Sequence, residues 1–170
     1  MTPVISLPEH FAFLYGASLI VQMMVPNFNQ YAAEGNAFLK GYAWEINLEG
    51  ETKKAGRILT AILHAMRDVI TVQESIHLLA QLPMFLKAVY VNGWSTRKKR
   101  VQVKTMEDFI DQVREYDKAR VETDFEFDDD LAEYYITNTF TYLKKYISQG
   151  EMENIRDILP KELKRLINSW

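Results

Sequence analysis

The chain has 170 residues, 48% of them apolar, with a net charge of −3 and no cysteine. That length and composition suffice for one domain, or two small ones packed together, with a sizeable core. The mild acidity supplies no field that would draw in nucleic acid or an anionic membrane. The missing cysteine excludes disulfides, thiolate metal sites and thiol nucleophiles, and says nothing of compartment.

Residues 1–26 differ from the rest: Phe11 to Val25 is a nearly unbroken apolar run, and no Lys or Arg precedes Lys40. A secretory signal needs a basic start ahead of its apolar core, and a spanning helix needs about 20 residues, so the run fits neither. It is expected to form an extra helix at 9–25 that packs on the body across Met84 and Phe85. The other readings are a translation start placed too far upstream, since the composition becomes ordinary at Met23-Met24, and a membrane anchor.

A first helical repeat is expected over 36–94. From Asn36, the spacing of Phe38, Leu39, Tyr42, Ala43 and Ile46 predicts a short helix ending before Gly50. Thr52 to Ile70 carries Ala55, Ile58, Leu59, Ile62, Leu63, Met66, Val69 and Ile70, a long apolar stripe that marks the central helix of the unit. Thr71 with Glu74 reads as a capping box opening a third helix. Leu82-Pro83 ends that helix and starts a fourth, because proline suits a first turn and disfavours helix in the residue before it. Asn92-Gly93 stops the fourth.

Residues 95–104 then read as a basic linker. A second repeat is expected over 105–170, entered through Met106, Phe109, Ile110 and Val113, with an acidic loop at 124–130 leading into its central helix. The skeleton of Ile70 to Leu86 returns there 77 residues later, with Ser148, Glu151, Leu159, Pro160 and Leu163 in place of Thr71, Glu74, Leu82, Pro83 and Leu86. At the same offset Tyr135, Ile136, Phe140, Leu143, Tyr146 and Ile147 continue the central stripe, broken only by Thr139 opposite Ile62. Phe109 matches Phe38 at an offset of 71, so the loop before the second central helix has gained six residues. The expected fold is all-α: an internally duplicated pair of four-helix units packed as one globular helical domain, with the extra apolar N-terminal helix.

The run AGRILTAILHAMRDVITVQESIHLLAQLPMFLKAVYVNGW and the weaker RDILPKELKRLI resemble the bacterial domain-of-unknown-function family numbered 2267. The resemblance covers roughly residues 28 to 169, and its most specific parts are AQLPMFLK and DILPKELK. It implies an all-helical, duplicated, cytoplasmic bacterial protein, and it transfers no activity and no functional residue.

Several residue groups are candidates for chemistry. Glu74 and His77 have the E-x-x-H spacing of carboxylate di-metal bundles, which need a second such pair. The equivalent Glu151 to Asn154 lacks the histidine, so neither a metal nor a cofactor is expected. His64, with Arg67 and Asp68 one turn on, is read as a hydrogen-bonded structural histidine in preference to an acid–base or metal partner of His77. There is no nucleophile elbow and no phosphate loop. Arg97-Lys98-Lys99-Arg100, beside Trp94, reads as a solvated linker, and no nucleic acid is expected.

One asymmetry remains. Met84 and Phe85 are apolar where the second copy has Lys161 and Glu162, which leaves surplus hydrophobic surface covered intramolecularly or offered as a partner contact. The expected function is that of a non-enzymatic interaction or scaffold protein whose partner is another protein or a second copy. The alternative is a small-ligand binder or enzyme with an apolar cleft between the repeats, lined by His64, His77, Trp44, Tyr134, Tyr135, Tyr142 and Tyr146.

Overall fold

The computed structural model describes residues 26–95 and 100–167. The expected helix at 9–25 and three residues of the basic run, Arg97, Lys98 and Lys99, lie outside the described residues.

All regular structure among the described residues is helical. Helix α1 spans Phe28–Glu45 and starts eight residues before the expected Asn36, because Asn27 caps it by accepting a hydrogen bond from the Gln30 N–H. The polar Asn27 to Glu34 stretch carries no apolar stripe, so periodicity could not find that first part. At the other end Leu48 N bonds the Ala43 carbonyl at 2.7 Å and Asn47 takes the left-handed conformation (φ 57°), which closes the helix and turns the chain.

Helix α2, Thr52–Val69, is the hub. The sequence marks one apolar stripe on it, but Ala61 to Ile70 are buried all round, His64, Arg67 and Asp68 included. The helices over Phe28–Glu45, Met84–Val91, Met106–Tyr116 and Asp129–Leu143 pack against it. Thr71 caps α3 (Val72–Gln81), and the extended Leu82 ahead of Pro83 separates it from α4, Met84–Val91.

After Gly93 the chain crosses to the second half. Val101 N donates to the Asp68 carbonyl at 2.8 Å and Val103 is buried, so this end of the expected linker is fastened to the core. Helix α5 (Met106–Tyr116) opens with a reciprocal capping box between Thr105 and Asp108. A 3₁₀ turn (Lys118–Arg120) and the single-turn α6 (Val121–Asp124) follow, then α7 (Asp129–Leu143), capped by Asp128. Helix α8 is Gln149–Ile158, and a 3₁₀ helix over Lys161–Ile167 stands where the second copy was expected to form an α-helix.

The same register relates several boundaries. Helices α2, α3 and α4 begin at Thr52, Val72 and Met84, and Asp129, Gln149 and Lys161 begin their counterparts 77 residues on. Helices α1 and α5 end at Glu45 and Tyr116, 71 apart, which puts the six extra residues in the connection 117–128. Contacts between the halves include α2 with α7, α3 with α8, α1 with α7 and α2 with α5.

Three further expectations need correction. Helix α7 ends at Leu143, so Tyr146 leaves the buried stripe and is 37% exposed. Thr139 does not break the stripe: it is fully buried, donating to the Tyr135 carbonyl and accepting from the Tyr42 hydroxyl at 2.6 Å. A buried hydroxyl with both roles filled behaves like an apolar side chain in the core. Thr71 and Ser148 cap their helices as expected, at 3.2 and 3.4 Å, but the return bonds from Glu74 and Glu151 are not made.

Candidate functional site

Helices α3 and α4 carry part of the exposed apolar surface. Val72 and Ile76, one turn apart on α3, are 46% and 56% exposed, and Met84 at the start of α4 is 49% exposed. Their counterparts in the second half are Gln149, Glu153 and Lys161, which are polar or charged. Phe85 takes a different course. It lies half-buried under α1, its ring 5.1 Å from that of Phe38, and Gly35 leaves so little room that a Cβ there would approach the Phe85 Cβ to 3.2 Å. The cover comes from the same half of the molecule, through the part of α1 that the sequence pattern missed.

The two histidines have separate surroundings. His64 is buried beside the Tyr116 ring and its Nε2 lies 2.8 Å from the Val89 carbonyl, to which it donates. His77 is about half exposed and faces Glu74 at 3.7 Å, the i, i+3 neighbour that the E-x-x-H spacing provides. Among the described residues no group of three or more His, Asp or Glu side chains is placed to hold a metal ion.

The aromatic residues expected around a cleft are dispersed. Tyr142 packs among Phe38, Tyr42 and Tyr146 and fills the space between α1 and α7. Tyr134 accepts a 2.7 Å bond from Asn47. Trp44 stands 67% exposed at a separate open groove with Glu45, Asn47 and Glu49. Burial pushes the Tyr42 and Tyr142 hydroxyls well above the ordinary tyrosine range and takes Tyr90 and Tyr135 up to about 12, so none of them is poised as a proton acceptor near neutral pH.

Two polar clusters have partners that the sequence did not link. In the first, buried Arg67 donates to the Tyr90 and Asn92 carbonyls at the end of α4 and lies over the Trp94 ring at 5.8 Å. Asp68 accepts from Tyr116 and Gln112 of α5. A cation suits carbonyls left over at a helix C-terminus, so this cluster ties α2 to both halves.

In the second, Arg57 of α2 makes a bidentate pair with Asp124 at 2.6 and 2.8 Å, and Asp117 lies against the same carboxylate. Asp124 is fully buried and Asp117 is 8% exposed. Burial raises Asp117 first and the Asp124 charge raises it further, to about 6. Burial also pushes Asp124 upward, but the Arg57 hydrogen bonds and charge outweigh it and hold Asp124 below the usual carboxylate range. The sequence signal would have been Asp117 itself, which follows α5 as the buried Ile46 follows α1.

Among the described residues no helix is long and apolar enough to cross a membrane. The model of the family described as "Uncharacterized conserved protein (DUF2267)" matches residues 35–166. No match was found among curated proteins.

Proposed function

Since the chain belongs to the domain-of-unknown-function family 2267, whose description carries no activity, we propose that it acts as a non-enzymatic interaction protein meeting another protein chain through α3 and α4. The observation that carries this reading is the one-sided exposure of Val72, Ile76 and Met84, in positions where the second half has Gln149, Glu153 and Lys161. Exposed apolar side chains cost solubility, and a face that is apolar in one half where the matching positions of the other are polar suits a contact. Met84 would be the main anchor, with the partly buried Phe85 next to it in the chain contributing less. The reading takes the two halves as copies of one four-helix unit, supported by the shared helix starts, and the protein as cytoplasmic.

The test is native mass spectrometry and sedimentation of the full chain purified under mild conditions, alongside Ile76→Glu and Met84→Lys, which import the side chains of the second half. Recovery of a protein partner or a second copy, lost in both variants, is the expected result. A monomer that retains a small molecule in wild type and variants alike would replace this reading with that of a ligand-binding protein.

A further inference from the structure

We propose that the connection between α5 and α7, residues 117–128, is a proton-responsive strap, whose hold on α2 through Arg57 and Asp124 is strengthened by one proton shared between the Asp117 and Asp124 carboxyl groups and weakened when that proton leaves. The geometry begins with charge. Two buried carboxyl groups face a single guanidinium, and Arg57 gives both of its short bonds to Asp124. Asp117 is left with an enclosed Oδ2 that finds no donor among the described residues. A buried acceptor without a donor is costly. That oxygen is almost sealed from solvent, although Asp117 lines an open groove of about 570 Å³ with Lys53, Arg57, Thr60 and Tyr116. A ligand therefore cannot reach it without movement, whereas a proton can. Protonated Asp117 donates to the Asp124 carboxylate, and Asp124 stays ionised for Arg57.

Every neighbouring charge enters the balance. From α2 come Arg57 and Lys53, with Glu51 acting on Arg57; from the strap come Arg120, Asp124 and Glu126; from α7 comes the Tyr135 hydroxyl. Arg57 and Arg120 favour ionised Asp117, but burial and the Asp124 charge outweigh them. The midpoint near 6 puts the change between weakly acidic and neutral pH. When the proton passes to solvent, two like charges are left in contact with one counter-charge already engaged, and the strap's hold weakens.

Backbone strain marks the far end of the strap. Glu126 and Phe127 both sit at φ 52°, a conformation L residues adopt with difficulty, and Phe127 is 70% exposed. Lys118, Glu122 and Phe127 form one side of a second groove of about 470 Å³ whose other side is α5, with Asp111 and Arg114. Loosening the strap changes that groove, so acidification would shape it and neutral pH would relax it.

The test combines two measurements on the full chain. Carboxyl-carbon NMR should show Asp117 titrating near pH 6 in the wild type. Amide hydrogen exchange, corrected for its intrinsic pH dependence, should show protection of 118–128 falling about tenfold from pH 5 to 7.5, because the open strap releases Asp117 to an ordinary affinity for protons. Asp117→Asn, which keeps a donor beside Asp124, should lose that pH dependence, and Asp111→Asn should keep it. A wild-type Asp117 midpoint near about 4, or an Asp117→Asn strap with unchanged pH dependence, would overturn the proposal.

Discussion

Single side chains decide the helix starts and a carboxyl titration raised into the weakly acidic range. Thr71 and Ser148 each accept a bond from the N–H three residues on, so Thr71→Ala and Ser148→Ala should each lower stability by about 0.5–2 kcal/mol. Because neither capping box is completed by its glutamate, Glu74→Ala and Glu151→Ala should cost less than the hydroxyl deletions in urea unfolding. Equal or larger losses for the glutamates would contradict that. Asp117 gives a pH-dependent stability of defined sign. Its folded pKa of about 6 lies above the unfolded value of about 3.9, so the folded state binds more protons and stability falls as pH rises through that interval. Asp124, held low by Arg57, works in the opposite sense, its contribution being lost as pH falls below the unfolded value. Asp117→Asn should therefore gain stability over wild type at pH 7.5 and little or nothing at pH 4; a uniform effect at both would argue against a raised pKa. Neither Asp117 nor the Arg67 cluster was legible in the sequence, since their partners stand far along the chain and no local spacing links Arg57 to Asp124.

At the level of elements, the close crossing of α1 on α7 depends on Gly41. A Cβ there would meet the Tyr142 hydroxyl at 2.2 Å, and Tyr142 is wedged against Phe38 and Tyr42. Gly41→Ala should destabilise by about 1–3 kcal/mol through overpacking, and Tyr142→Phe in the same chain should restore part of the loss. If the double variant is no more stable than Gly41→Ala alone, the contact is not the cause. The α3 and α4 surface makes the reverse prediction. Ile76→Glu and Met84→Lys remove no core contact, so unfolding midpoints should change by less than about 0.5 kcal/mol equivalents while any self-association falls. Leu86 and Leu163 are the internal contrast, both fully buried at matching positions, and Leu86→Ala should cost about 2–5 kcal/mol.

Across the whole molecule, the halves share one core. Helix α2 is enclosed by α1, α4, α5 and α7, and the Tyr42 to Thr139 bond crosses between halves inside it. Unfolding should accordingly be a single transition, with calorimetric and van't Hoff enthalpies equal. Two separated transitions would mean that the halves fold as independent domains. Tyr42→Phe should lower the midpoint without splitting the transition, at a cost of about 0.5–1.5 kcal/mol, because Thr139 keeps its bond to the Tyr135 carbonyl.

Helix identity and most helix boundaries were set by the sequence itself: hydroxyl caps, Leu-Pro breaks and 3.6-residue periodicity act within a few residues and leave a local trace. The AQLPMFLK and DILPKELK stretches carry such traces. What encloses each face was decided only in three dimensions. The stripe of α2 gave one buried side, yet four helices close round it and force His64, Arg67 and Asp68 to find partners indoors. Thr139 looked like a fault until Tyr42 stood opposite, and the sequence did not show that α1 would cover Phe85 through Gly35 and Phe38. Pattern records which residues avoid water along one element; burial and charge pairing depend on surfaces that distant segments bring, and those are fixed only when the helices pack.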